Sequence, residues 1–394
     1  MRKVAILGVG MTDFGRLEDD GLIDMLSAAS IRAIDDAGID PSMIQGLYVA
    51  NMGGGILNHM TGVASALADN ISLLPAFADT VENGPASGAS AIKNGVMAVA
   101  SGYYDFILVA GGEKMRGVTG WRATDFVATL THSQAEYIYG VTLPGMAGMF
   151  TRLYMEKYGY TPKHLAKVAI KNQKNGILNP YAHVQMEINM DGILNSPDSI
   201  VNNSPVADPL RLFDCCPVSD GAAAVLLCPA DRVAEFKKPL VEVAGFGQAT
   251  DTHTLAERDE PTELKAVTMA CNQAYQRAGI TAADVDFAEL HDAFTILEIA
   301  EAEASGLFEK GKYKEALESG QVEINGSLPI NPSGGLKSRG HPVGATGVAL
   351  AVEAVWQLRG EAGERQVKDP KIGLTVNFGG FGNNVVALVL RRQS

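Results

Sequence analysis

The feature that most restricts the folds open to this chain is an internal repeat. An apolar run at residues 4–7 leads into Gly8-Val9-Gly10, and a similar run at 241–244 leads into Gly245-Phe246-Gly247, roughly 240 residues later. Each unit continues with helical periodicity that stops at an Ala-Gly-Ile triplet, Ala37-Gly38-Ile39 in the first and Ala278-Gly279-Ile280 in the second. Apolar runs at 46–51 and 105–110 add strands to the first unit, and runs at 285–290 and 373–376 add strands to the second. This order predicts an α/β fold of two similar βαβαβ halves, residues 1–235 and 236–394, with mostly parallel sheets covered by helices and with strand ends on a shared face. Residues 114–207 interrupt the pattern with Met- and Tyr-rich helices (146–158 and 165–175), which predicts an inserted loop domain over a site.

One turn organises the first half. In Thr80-Val81-Glu82-Asn83-Gly84-Pro85-Ala86-Ser87-Gly88, Gly84 gives backbone freedom and Pro85 suits a first helical position, so a helix of small residues should run from here to about residue 100. Amides at such a start are expected to face a ligand, and such turns often present a nucleophile. Here that position holds a proline.

Composition narrows the partners. With 46% apolar and 20% charged residues the chain can build two cores, and a formal charge of −13 without a basic run argues against nucleic acid. The four cysteines lack zinc-site spacing, residues 1–8 are too short for a signal peptide, and no stretch approaches the ~20 apolar residues of a membrane span, so a cytoplasmic protein is expected. The remaining histidines show no metalloprotease arrangement, and no metal site is expected.

The strongest local signal is Ser338-Arg339-Gly340-His341-Pro342-Val343-Gly344, where His341 is locked between glycine and proline just before a helix. His291-Asp292-Ala293-Phe294 falls at a strand end in the second half, where open α/β sheets place functional groups. Asn377-Phe378-Gly379-Gly380 offers N–H groups for an oxyanion. Cys215 and Cys216 are expected to be buried at the start of a strand over 222–228, and Gly8-Val9-Gly10 lacks the third glycine and spaced acid of a dinucleotide site.

These motifs, together with Asp214-Cys215, Asp220-Gly221-Ala222 and the segment from Asn331 to Gly335, resemble the thiolases over essentially the whole chain. The likeness is to the branch of the archaeal acetoacetyl-CoA thiolases and the thiolase domain of sterol carrier protein x. It implies the thiolase fold, with two halves of mixed five-stranded sheets and an inserted loop domain. It also implies catalytic His341 and His291, and an oxyanion or substrate site formed by Gly379, Gly380, Asp292 and Phe294. Coenzyme A, as part of the substrate, would be held by Met146, Met149, Gly247 and Ser338, with no covalently bound cofactor. A homodimer paired through the first halves is implied, as is association with a small zinc-ribbon and oligonucleotide-binding-barrel protein.

The resemblance also exposes a departure. The cysteine that takes an acyl group in the family falls on Pro85, and the second cysteine of the branch, which follows His-Asp, falls on Ala293. The expected activity is therefore carbon–carbon bond making or breaking in a CoA thioester without an acyl-enzyme, foremost retro-aldol cleavage of a β-hydroxyacyl-CoA. The alternatives are an inactive thiolase-fold subunit that supports an active partner, and a β-ketoacyl-CoA acyltransferase in which CoA attacks directly.

Overall fold

The computed structural model describes residues 2–194 and 203–393; residues 195–202, within the expected insertion, lie outside the described part. In chain order the strands are β1 (Val4–Met11), β2 (Gly46–Ala50), β3 (Phe77–Val81), β4 (Ile107–Glu113), β5 (Pro205–Ala207), β6 (Leu210–Arg211), β7 (Gly221–Pro229), β8 (Val241–Thr250), β9 (Phe287–Glu289), β10 (Ile372–Gly379) and β11 (Asn384–Arg392). Nine of them form one sheet in the order β3-β2-β4-β7-β1-β8-β11-β10-β9, while β5 and β6 pair separately. The halves meet where β1 pairs antiparallel with β8, Ala5 opposite Glu242 and Ile6 opposite Val241.

The sheet is mixed rather than mostly parallel. β2 runs parallel to β3 and β4, and β10 to β9, whereas β4, β7, β1, β8, β11 and β10 alternate in direction. The first half contributes five strands and the second four, with a parallel bridge between Ala288 and Ile330 marking where a fifth would lie.

The strands do not stop with the apolar runs at 4–7 and 241–244; β1 and β8 continue straight through the repeated glycines. A Cβ at Gly8 would lie 2.1 Å from the Ala33 carbonyl oxygen, and one at Gly245 would lie 2.2 Å from that of Ala274. In each half the glycines let a helix lie directly on the strand, Leu22–Ala37 on β1 and Lys265–Ala278 on β8. Alternation along the strands buries Ala5 and Leu7 under the first of these helices. It turns Val4 and Ile6 to the opposite face, toward Ser87–Ser101 and Val343–Arg359. Those two central helices cross at glycine: a Cβ at Gly347 would lie 2.3 Å from the Ala89 nitrogen, and one at Gly88 2.7 Å from the Val348 nitrogen. Their starts are thereby held together, on the side where β10 and the segment after β9 end.

Candidate functional site

Both histidines predicted from sequence reach the same cavity, of about 230 Å³, at the junction of the halves. His341 precedes Val343–Arg359, with Pro342 as its N-cap and Gly340 at φ 109°, a conformation that favours glycine. His291 follows β9, and its N–H donates to Oε2 of the buried Glu301 at 3.0 Å. The two rings meet edge to face with centroids 4.8 Å apart, and Phe378 stacks on His291 at 5.9 Å. Pro85, Ala293, Phe294, Leu297, Phe378 and Gly380 share the wall, which is mostly apolar.

The hydrogen bonds distinguish the two rings. Ala89 N–H donates to Asn377 Oδ1 at 3.2 Å, which fixes the amide's orientation and leaves Nδ2 as a donor. Nδ2 donates to the Pro85 carbonyl at 3.0 Å and lies 3.3 Å from His291 Nδ1. His291 Nδ1 is therefore an acceptor, and the ring proton sits on Nε2. At His341 the logic reverses. The Thr346 hydroxyl donates to the Pro342 carbonyl at 2.9 Å and lies 2.7 Å from His341 Nδ1, so Nδ1 donates and Nε2 is bare.

Both rings are neutral. Burial, and then the positive charge of Arg339, depress His341 to about 3. Burial, His341 and Arg339 together hold His291 well below the usual imidazole range. One neutral histidine thus donates where the other accepts.

Other expected site residues fall elsewhere. Asp292 is fully buried and turned away from the cavity, accepting from the N–H groups of Leu336 and Lys337 at 2.7 and 3.3 Å and from Asn172 Nδ2 at 2.7 Å; it anchors the turn that leads to His341. Ser338 is buried with its hydroxyl on the Val184 carbonyl, Met146 packs in the second-half core, and Gly247 lies under the Ala270 carbonyl. These four do not line the cavity. Met149 is exposed on helix Leu143–Tyr158. Two amides at the start of Ser87–Ser101 are taken internally, Ser87 N–H by the Gly84 carbonyl and Ala89 N–H by Asn377, which narrows the expected open anion site.

Gly380, at φ 58°, borders this cavity and a more open polar one of about 680 Å³. Glu82, Asn83, Thr129, Asp251, His253 and Asn383 line the latter. Cys215 and Cys216, expected in the core, instead border the histidine cavity, because the chain there bridges to Phe294 before β7 begins. Sequence reasoning also missed Asn377, which stands in a motif it had singled out for its glycines, and Thr346, just beyond the His341 motif. Among the described residues no His, Cys, Asp and Glu group could hold a metal ion, and no helix is long and apolar enough to cross a membrane.

Two continuous halves, glycine-crossed central helices and a histidine pair at their junction define a two-half α/β protein with a site between the halves. Family models agree: residues 4–231 match the thiolase N-terminal domain and 247–392 the thiolase C-terminal domain-like family. The chain belongs to the thiolase superfamily. It is 43% identical to an acetyl-CoA acetyltransferase of Methanothermobacter thermautotrophicus, with all of both chains covered. It is 34% identical to the benzoylsuccinyl-CoA thiolase subunit BbsB of Thauera aromatica over 96% of this chain and 95% of that one. Among solved structures, the Ltp2-ChsH2(DUF35) aldolase superposes with a TM-score of 0.85 at 26% identity, covering 99% of this chain and 98% of that one. Human mitochondrial 3-ketoacyl-CoA thiolase in complex with CoA, at 17% identity and a TM-score of 0.72, shares the fold.

Proposed function

We propose that this protein cleaves or forms a carbon–carbon bond in a CoA thioester without a cysteine acyl-enzyme, foremost by retro-aldol cleavage of a β-hydroxyacyl-CoA. The observation that carries the reading is the division of labour between the two histidines. A retro-aldol step needs a base for the hydroxyl proton and a donor for the thioester oxygen as it becomes an enolate oxygen. His341 Nε2, bare, suits the base; His291 Nε2–H suits the donor, with Gly380 on the same cavity wall. A low-pKa imidazole is a weak base in the free protein. The negative charge that develops on the enolate in the same cavity offsets the penalty that burial imposes on the imidazolium.

On this reading Pro85 and Ala293 occupy the slots of the two family cysteines. Pro85 offers only its carbonyl, which positions Asn377 and through it His291. The apolar wall would receive the acyl chain, and the polar opening beyond Gly380 the pantetheine arm. Glu82 and Asp251 in that opening disfavour phosphates there, so the nucleotide would lie farther out. Names among the relatives support CoA thioester chemistry, and the aldolase neighbour supports this reaction class and a DUF35-type partner. A homodimer through β3, which lies at one edge of the sheet, belongs to the same proposal.

The test is to incubate the protein, alone and with such a partner, with β-hydroxyacyl- and β-ketoacyl-CoA panels and to weigh both products and protein. Cleavage of the hydroxy substrates into an acyl-CoA and an aldehyde or ketone, with no acylated protein, is expected. Thiolysis of the keto substrates instead would favour the acyltransferase reading, and no turnover of either would favour a supporting subunit.

A further inference from the structure

We propose that Cys216 is a catalytic residue, the acid that protonates the α-carbon of the enolate; the proposal rests on the retro-aldol reading and completes its proton balance. Three features of the cavity lead to it. The enolate left by bond cleavage needs a proton on carbon: His291 Nε2–H is engaged with the enolate oxygen, and the proton that His341 has just taken sits at the departing carbonyl oxygen rather than at Cα. A thiol borders the same cavity. Cys216 N–H donates to the Ala293 carbonyl at 2.9 Å, which sets residue 216 against the strand-end segment that carries His291, and both residues border the cavity. Finally, the two neighbouring thiols differ. Cys215 Sγ points to the Arg211 carbonyl at 3.5 Å, whereas the hydrogen bond that touches the Cys216 thiol comes from its own backbone.

The thiol is in the form the role requires. Burial, reinforced by the neighbouring Cys215, pushes Cys216 up to about 12, so it is a neutral S–H at neutral pH, an acid and not a resting nucleophile. The buried Lys337 nearby acts in the opposite direction and favours the thiolate formed when that proton leaves. The step then balances. The β-hydroxyl proton goes to His341 Nε2, the Cα–Cβ bond breaks with its electron pair passing into the enolate, and the aldehyde or ketone forms. The S–H proton is delivered to Cα, and the thiolate then takes the former hydroxyl proton from His341, which returns both groups to their resting state. No oxidant, reductant or covalent intermediate is needed.

The reverse of the last step can be watched without cleavage, as exchange of the α-protons of propionyl-CoA with deuterium oxide. The unaltered protein should exchange them. Cys216→Ala and Cys216→Ser should slow exchange by about 10²-fold or more, the size of one acid–base group, while propionyl-CoA binding by calorimetry stays within about twofold. Cys215→Ala should exchange within about twofold of the unaltered rate. In that Cys215→Ala protein, methyl methanethiosulfonate should stop exchange and dithiothreitol restore it, a readout that does not depend on whether a Cys216 variant folds. Undiminished exchange in Cys216→Ala or in the blocked protein, or no exchange by the unaltered protein, overturns the proposal. Parallel assay of β-hydroxyacyl-CoA separates the two readings. Exchange without cleavage removes the retro-aldol reading and leaves Cys216 in place; cleavage with undiminished exchange in Cys216→Ala does the reverse.

Discussion

The two central helices begin in the same way and do different things. Ser87–Ser101 follows Gly84-Pro85-Ala86, Val343–Arg359 follows Gly340-His341-Pro342, and glycines at 88 and 347 bring the two starts into backbone contact. The first start presents no titratable group and turns the Ser87 amide on its own turn and the Ala89 amide on Asn377. The second presents a histidine whose ring is fixed by a threonine one turn along the same helix. On the proposed reading the two starts divide the work: the first supports Asn377 through the Pro85 carbonyl, and the second carries a histidine that handles protons.

The largest expected effect comes from breaking the crossing on which the comparison depends. Gly347→Leu would drive a side chain into the Ala89 nitrogen, 2.3 Å from the Cβ position, and into Asn377 Oδ1 at 2.1 Å. Neither the helix backbone nor that buried amide can retreat cheaply. We expect loss of soluble folded protein, or a fall in melting temperature of more than about 10 °C, read by calorimetry. A variant that melts normally would show that the two starts are not mechanically joined.

Next in size is removal of either ring. His341→Ala and His291→Ala should each lower turnover of a β-hydroxyacyl-CoA by about 10²- to 10⁴-fold, the usual range for one acid–base or oxyanion group. The matched change in the first half, Pro85→Ala, should cost little, because the Pro85 carbonyl and not its ring is what Asn377 uses. Full-rate turnover in both histidine variants would remove them from the mechanism.

Asn377→Asp sharpens the link between the halves. A carboxylate cannot donate to the Pro85 carbonyl, and it would pull a proton onto His291 Nδ1, leaving Nε2 bare. We expect kcat to fall by about 10- to 10²-fold with KM nearly unchanged, and the His291 nitrogen-15 resonances to exchange their protonated and bare character. A uniform loss of substrate affinity would instead mark Asn377 as packing.

That residue also shows where sequence reading stops. The repeat, the helix limits Leu22–Ala37 and the His341 turn were legible because periodicity, glycine and proline leave local signatures. β11 was not separated, since its apolar run follows the Gly379–Gly382 turn with no helix to set it apart. Helix Thr295–Ala304 is buried on every side, Glu298, Glu301 and Glu303 included, so it carries no amphipathic period. Asn377, Thr346 and Cys216 act through partners far away in sequence or along a buried face, and no spacing announces such partners. Asp292 misled for the opposite reason: adjacent to His291 in sequence, it turns to the other side of the strand end.

A smaller effect is expected from placing a thiol at the first start. Pro85→Cys keeps the carbonyl that Asn377 uses, so retro-aldol turnover should remain within about threefold. Thiolysis of a β-ketoacyl-CoA should not appear, because Ala293 cannot take a proton from an incoming CoA thiol, and Cys216, a neutral thiol at rest, supplies no base for that step. Mass measurement of a turning-over sample checks for an acyl group on the introduced thiol, and steady thiolysis by this single variant would mean that the difference between the two starts rests on residue 85 alone.

The smallest expected effect is an absence of change, and it tests the state of the second start. An exposed imidazole titrates near pH 6.5, so if His341 were an ordinary surface base, kcat/KM would fall about tenfold per unit below that value. Burial and the Arg339 charge instead lower its titration to about 3, and His291 is held low by the same causes. The neutral ring is the active form, and its activity is lost only as pH falls through the depressed value. From this pair, kcat/KM for a β-hydroxyacyl-CoA should be flat from pH ~8 down to about 5.5, with any decline below that following loss of the fold by circular dichroism. A bend near 6.5 in protein that remains folded would place the working base in water, and the buried histidine of the second start would then be as passive as the proline of the first.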